Sequence, residues 1–426
     1  MPNTRIKCAK ALQTVLEDKV FFAALKNDFT AQELPLANML ILSTLRYWVG
    51  LNKILQTFLQ KKIPHKHRAA QYLLLLAIAE LLLMETAPYA VINETVANVR
   101  QVSDKFLSGL ANAVLRKIIA DKTMWQKKMA ELNILPHSFT EILAGYTPEQ
   151  KAKIAAAITQ IPPLDLTLKK DAEQWAENLN AKILPNGTLR LTDYVKVNQL
   201  AGYDEGVWWV QDVAASLPVL ALGDVNGLKV ADLCAAPGGK TAQLATAGAN
   251  VTAVDISAER MDKLAQNMQR LGFNNVQTKV ADALDFLQNT NEQFDALLLD
   301  APCSATGTFR RHPEILHIKT NADVAEQIKL QEKLLHASAK KLKVGGILLY
   351  CVCSISRAEG EEQIKKFLDG QPNFSLIPIK TEDISRYGQW AENIITSDGY
   401  IRTLPYMCSA KGGMDSFFIA KMQRII

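Results

Sequence analysis

From Gly227 to the carboxyl end, short apolar runs take turns with amphipathic stretches. This alternation limits what the chain can fold into more than any other feature. Strands are expected at 229–233, 251–255, 276–280, 296–299, 347–350 and 417–420, with helices at 241–247, 258–271, 324–342 and 361–368. An uninterrupted apolar run such as Ala296 to Leu299 suits a strand covered on both faces. Strands separated by helices predict a doubly wound, mostly parallel sheet of the α/β class. Such a sheet holds its ligands beyond the carboxyl ends of its strands, so chemistry is to be sought in the residues that follow each strand.

The front of the chain has a different period. Residues 1–140 read as all helix, with apolar positions at helical spacing over 5–26, 36–49, 51–60, 67–84, 90–102 and 105–119. Pro64, Pro88 and Gly109 fall among them as breakers. Long amphipathic helices with short joins suggest a bundle. The most apolar segment, 69–84, contains Gln71 and Glu80, and its longest unbroken apolar run, Tyr72 to Ala79, is too short to span a membrane. It reads as a buried helix. Between bundle and sheet, residues 141–225 are mixed, with strands expected at 164–168, 190–192 and 207–211 and a helix at 171–179. The expected division is a helical domain over 1–140, a small α+β subdomain over 141–225 and the sheet domain over 226–426.

Composition narrows the partner. The net charge is uneven: +8 on residues 1–160 and −3 on residues 161–426. A basic front on a near-neutral body fits a polyanion docked on the front. Lys61, Lys62, His65, Lys66, His67 and Arg68 cluster at one helix join and are candidates for phosphate contacts, although a solvated basic loop has the same composition. No charged segment followed by an apolar one stands at Met1, so no signal peptide is expected. Six cysteines in a chain of 426 residues form no paired framework. Reduced thiols and a cytoplasmic location are expected. No metal site is expected, since no Cys-x-x-Cys is present and the histidines lack ligand spacing.

The first strand runs into Asp232-Leu-Cys-Ala-Ala-Pro-Gly-Gly-Lys-Thr241. A glycine pair between strand and helix lets a ligand approach backbone N–H groups. A P-loop would use Gly239-Lys240-Thr241, but it needs glycine where Cys234 stands, and Pro237 stiffens the loop. A dinucleotide fingerprint, Gly-x-Gly-x-x-Gly, is absent. S-adenosylmethionine is the third reading. Its centre is a cation, and Asp232, Asp255, Asp282 and Asp300 all stand at strand ends. Asp255 is placed to accept from ribose hydroxyls, and Asp282 from the adenine amine.

Two further strand ends carry thiols. Asp300-Ala-Pro-Cys303 closes one strand, where Pro302 cannot continue a ladder. Tyr350-Cys-Val-Cys-Ser-Ile355 closes the next, and the two-residue period puts Cys351 and Cys353 on one side without choosing between them.

These stretches, with Arg310-Arg-His-Pro-Glu314, closely resemble the RNA cytosine-C5 methyltransferases that use two cysteines. Phe106-Leu-Ser-Gly-Leu-Ala-Asn-Ala-Val-Leu-Arg116 in the helical front is similar to the NusB-type RNA-binding domain. The resemblance covers nearly the whole chain and implies a Rossmann-like methyltransferase domain behind an all-α NusB-like domain. It implies methylation of 16S rRNA, at cytosine 967, by a monomer that needs neither metal nor membrane. By the same resemblance Cys234, Ala235, Ala236, Pro237, Gly238, Gly239, Lys240, Asp255, Asp282 and Asp300 hold S-adenosylmethionine. Cys353 matches the nucleophile, Cys303 the cysteine that resolves the adduct, and Asp300 a group beside base N3. Arg310, Arg311 and His312, with Lys61, Lys62, Lys66 and Arg68, are the expected RNA contacts. Two readings of other classes compete: a non-catalytic NusB-like assembly factor and a P-loop-like NTPase. Where the family usually has Thr before the nucleophile this chain has Val352, and residues 385–410 match no motif.

Overall fold

The computed structural model describes residues 3–132, 134–191 and 196–426. They divide into two compact units: Met1–Glu141 with His312–Lys319, and Ile142–Arg311 with Thr320–Ile426.

The first unit is built on α1 (Thr4–Glu17), α2 (Leu34–Arg46), α3 (Trp48–Thr57), α4 (Arg68–Leu83), α5 (Pro88–Val102), α6 (Lys105–Ala120) and α7 (Lys122–Leu132), with α8 (His137–Ile142) at its edge. Helix α4 is apolar on nearly every side and lies buried along its length. Its Glu80 is buried too, and Arg5 meets it with Nε at 3.0 Å and a terminal nitrogen at 2.7 Å. A buried carboxylate needs such a partner. The first helix is shorter than its apolar spacing predicts. Lys19 adopts a left-handed conformation (φ 57°), which no right-handed helix can include, and the chain resumes as a 3₁₀ segment over Phe22–Asp28.

The second unit contains α9 (Pro148–Ala157), then a four-stranded antiparallel sheet with one helix against it. Its elements are β1 (Leu164–Leu168), α10 (Ala172–Asn178), β2 (Lys182–Ile183), β3 (Leu189–Leu191) and β4 (Trp208–Val210), in the order β2-β3-β1-β4. The strand expected over 190–192 is found one residue earlier, and Thr192 lies outside the described residues. Helix α11 (Val213–Leu222) escaped sequence reading because Pro218 sits inside it and it is apolar on all sides, so it shows no helical period.

The large sheet follows: β5 (Lys229–Leu233), α12 (Gly239–Thr246), β6 (Asn250–Asp255), α13 (Ala258–Arg270), β7 (Val276–Val280), α14 (Ala283–Asn289) and β8 (Phe294–Asp300). A short helix α15 (Ile315–Ile318), then α16 (Asn321–Ala339), β9 (Leu342–Val352), α17 (Glu361–Asp369), β10 (Phe374–Leu376), α18 (Thr381–Ile384), β11 (Ile401–Arg402) and β12 (Phe418–Arg424) complete it. Strand order is β10-β12-β9-β8-β5-β6-β7, with β11 on β12. From β9 to β7 the pairs are parallel, while β12 runs antiparallel to β9. The order reverses between β5 and β8, which makes the crevice beyond those two strands the natural ligand site.

One segment crosses the division of the chain. After β8 the backbone leaves the second unit at Arg311, contributes residues 312–319 to the helical unit, and returns at Thr320. Ile318 joins the helical core, and His317 Nε2 lies 2.9 Å from the Leu45 carbonyl with its ring edge-on to Trp48. Burial drives the His317 pKa down to about 4, so the ring is neutral at physiological pH. Among the described residues no helix is long and apolar enough to cross a membrane.

Candidate active site

Register puts the candidate residues at one level of the sheet. Leu233 pairs with both Val254 and Leu299, and Asp300 pairs with Cys351. The carboxyl ends of β5, β6, β8 and β9 therefore open onto one crevice.

The turn after β5 is shaped by two left-handed residues, Cys234 (φ 59°) and Gly238 (φ 100°). At Gly238 a Cβ would meet Leu264 Cγ at 2.7 Å, so glycine is required for space as well as conformation. Ala236 N–H donates to Asp255 Oδ2 at 3.1 Å, and Ser257 N–H to Oδ1 at 3.0 Å, which aims the β6 carboxylate back into the turn. Asp282 caps α14, with Oδ1 accepting from the N–H groups of Leu284 and Asp285. Asp232 is fully buried, accepts from Thr241 Oγ1 at 2.6 Å, and is pushed up to about 7 by that burial and by Asp300 nearby. The Cys234 thiol is driven well up, first by burial and then by Asp300, Asp255, Asp232 and Asp282 together. One thiol thus feels four carboxylates, a field that a cationic ligand would relieve.

Lys240 Nζ donates to Asp300 Oδ2 at 2.7 Å and lies 5.2 Å from the centre of the Phe417 ring. Burial opposes its charge, but Asp300 outweighs that and holds the amine's pKa above its ordinary value. The Cys351 S–H donates to the other oxygen, Oδ1, at 3.4 Å. Both oxygens of Asp300 are thus acceptors, one from the Lys240 amine and one from the Cys351 thiol. Cys351 is buried against Asp300, whereas Cys353 reaches the crevice with its sulfur 3.4 Å from that of Cys303. The S–H···S bond to Cys353 and burial together keep the Cys303 pKa far above the usual thiol value. Val352, with no hydroxyl to offer, is buried opposite Phe418.

The basic residues separate. Arg310 is buried and donates to the Gly412 carbonyl. Arg311 binds Asp212 at 2.6 Å and Asp415 at 3.0 Å. Both guanidiniums are engaged inside the second unit, so the expected phosphate contacts would require these bonds to be exchanged. Asp212 lies 99 residues before Arg311 and Asp415 104 residues after it, and nothing local announces them. His312 is half-exposed, 3.6 Å from the buried Glu314. Arg68 faces Glu17 at 3.2 Å, while Lys61, Lys62 and Lys66 are exposed. Arg402, from the stretch that matched no motif, donates to the Ser354 carbonyl at 2.6 Å and pairs with Glu361.

The family model described as "16S rRNA methyltransferase RsmB/F" matches residues 219–423, and that of the NusB family matches residues 2–120. Ribosomal RNA small subunit methyltransferase B of Yersinia pestis bv. Antiqua (strain Angola) is 32% identical over 400 residues, covering 89% of this chain and 93% of its own. The chain belongs to the RsmB/F family. The enzyme of that name from Yersinia pseudotuberculosis serotype O:1b (strain IP 31758) aligns at the same identity and coverage. Among solved structures, PH0851 superposes over 99% of both chains with a TM-score of 0.74 at 21% identity, which shows a shared fold. A methyltransferase homologue from Pyrococcus horikoshii gives a TM-score of 0.54 at 28% identity, covering 68% of this chain and all of that one. As an RsmB/F member the protein is an S-adenosylmethionine-dependent ribosomal RNA methyltransferase with a NusB domain in front. The residues fit that donor: four carboxylates surround a turn that opens its backbone at Gly238 and Gly239. A triphosphate fits badly, because the lysine it would need is already bound by Asp300.

Proposed function

We propose that this RsmB/F enzyme methylates carbon 5 of a cytosine in 16S rRNA through a covalent adduct to Cys353, with cytosine 967 the position to which the family resemblance points. The reading rests on one observation: two thiols 3.4 Å apart at the carboxyl end of β9, beside a Lys240–Asp300 pair. Carbon 5 of cytosine is a poor nucleophile. Addition of the Cys353 thiolate to carbon 6 turns the ring into an enamine whose carbon 5 can take a methyl group. S-adenosylmethionine supplies that methyl from its sulfonium.

The remaining work falls to the chain. In this reading Cys303 donates the S–H···S bond, which leaves Cys353 as its acceptor, the polarity an attacking sulfur needs. Lys240, held charged by Asp300, is the group able to donate to N3 as negative charge develops there. Once Cys353 is bonded to carbon 6 its sulfur is an uncharged thioether. Cys303 then loses its bond to a free thiol, gives its proton to water and, as the thiolate, removes the proton from carbon 5 directly or through a water molecule. The carbon–sulfur bond breaks as the ring double bond returns. The target base must be unpaired or flipped out to be reached. Action in the cytoplasm on rRNA, with the exposed Lys61, Lys62 and Lys66 among its phosphate contacts, completes the reading.

Mass mapping of methyl groups on 16S rRNA, after incubation with enzyme and donor, tests the product. The roles of the thiols are tested on denaturing gels. Cys353→Ala should give neither product nor adduct. Cys303→Ala should attack and methylate but stall, leaving a protein–RNA band when donor is present. A band from Cys353→Ala and none from Cys303→Ala would reverse the assignment.

A further inference from the structure

Glu359 is fully buried, six residues beyond Cys353, and all its bonds to other side chains converge on the two cysteine loops. Oε1 accepts from Ser304 N–H at 2.8 Å and Gln331 Nε2 at 3.0 Å. Oε2 accepts from Ser304 Oγ at 2.5 Å and from Ser354 Oγ. Ser304 directly follows Cys303, and Ser354 directly follows Cys353. Gln331 also donates to the Pro302 carbonyl at 2.9 Å, so the carboxylate is tied to both neighbours of Cys303. Thr306 Oγ1 closes the group, 2.9 Å from Ser304 Oγ and 3.0 Å from Ser354 Oγ, and accepts from Ile355 N–H. Four donors fill the four acceptor positions of one carboxylate. Burying a carboxylate is costly even with the Arg402 guanidinium near enough to feel its charge, and cheaper groups could brace a loop.

We propose that Glu359 is a positioning residue that sets the separation of the two reacting thiols, and that its main effect is on the resolving step. Backbone bonds already anchor the loop at its ends, from Ala301 N–H to the Cys351 carbonyl and from Gly307 N–H to the Cys353 carbonyl. Cys353 sits just past a long strand in the sheet and keeps its place without Glu359. Cys303 lies between the two anchors and is steadied there by Glu359 and Gln331. Loss of the carboxylate therefore leaves attack at carbon 6 possible and moves the group that must meet the proton on carbon 5.

The proposal rests on the covalent reading above, and the test separates the two. Glu359→Gln keeps the shape but turns an N–H₂ toward N–H and O–H donors. With saturating donor and rRNA it should lower kcat by at least about tenfold, within the roughly hundredfold that a 1 Å misplacement costs. KM for rRNA should stay near that of the wild type, and a covalent protein–RNA band should accumulate. Cys303→Ala is run beside it. If Cys303→Ala gives a band and Glu359→Gln gives none, or turns over normally, the positioning role is wrong. If neither Cys303→Ala nor Cys353→Ala gives a band, the covalent reading has failed. A readout without catalysis then decides the positioning role. Diamide, a two-electron oxidant, takes the two thiol hydrogens and joins Cys303 to Cys353, and peptide mass spectrometry follows the rate. That rate should fall in Glu359→Gln, and an unchanged rate overturns the proposal. Should Glu359→Gln fail to fold, Ser304→Ala and Ser354→Ala each remove one donor and are judged by the same band and rate.

Discussion

Asp232 carries a consequence that activity assays alone would miss. Its folded pKa of about 7 is raised from an ordinary 3.8 by burial. The stability it contributes is therefore complete below pH 3.8 and is lost as pH rises through 7, so the ligand-free protein should be less stable at pH 8 than at pH 6. Ionised Asp232 adds negative charge to the field around the Cys234 turn. S-adenosylmethionine, with its sulfonium, should gain affinity relative to the neutral sulfide S-adenosylhomocysteine between pH 6 and pH 8. Calorimetry of both ligands across that range measures the ratio, and Asp232→Asn should flatten it. A ratio that stays constant in the wild type would show that Asp232 does not act on the ligand's charge. The strand-end carboxylates were legible in the sequence because each falls where an apolar run stops. Glu359 was not, since one of three glutamates at the start of a helix looks like any other solvated residue. Nor was the bond from Cys351 to Asp300. A two-residue period gives the side of a strand, not what waits there.

The turn between β5 and α12 gives the clearest test at the level of an element. Gly238 is left-handed, and Leu264 on α13 fills the space a side chain would take. Gly238→Ala costs about 1–2 kcal/mol for the backbone alone, before Leu264 is displaced. The expected result is cofactor affinity lowered about tenfold or more, with the far-ultraviolet spectrum unchanged. Adding Leu264→Ala should recover only part, because it relieves the contact and not the conformation. Wild-type affinity in Gly238→Ala would mean that the turn does not set the site. The central strands of the large sheet were readable because buried parallel strands are apolar runs, whereas the short strands β10 and β11 near its edge were not expected. Helix boundaries slipped where a backbone conformation intervened, as at Lys19, or where apolarity on every side erased the period, as in α11.

The division of the chain matters for any attempt to separate RNA binding from chemistry. From the sequence, residues 1–140 read as a helical domain of their own. Nothing there shows that Ile315, Leu316 and Ile318, buried side chains far along the chain, belong to the front's own unit. Removing residues 1–141 therefore uncovers the segment that directly follows the Cys303 loop. The truncated protein should be cut by protease within 312–319 under conditions that leave the full chain intact there. Equal resistance in both would show that the segment holds its shape alone. Synthesis meets the same constraint in time. At 5–20 residues per second, the ribosome delivers Ile318 roughly ten to thirty seconds after residue 141. Until then the nascent helical unit waits with its core unfinished and an apolar surface open to chaperones. The first part of this enzyme to be made is completed only after β8 of the second unit has been synthesised.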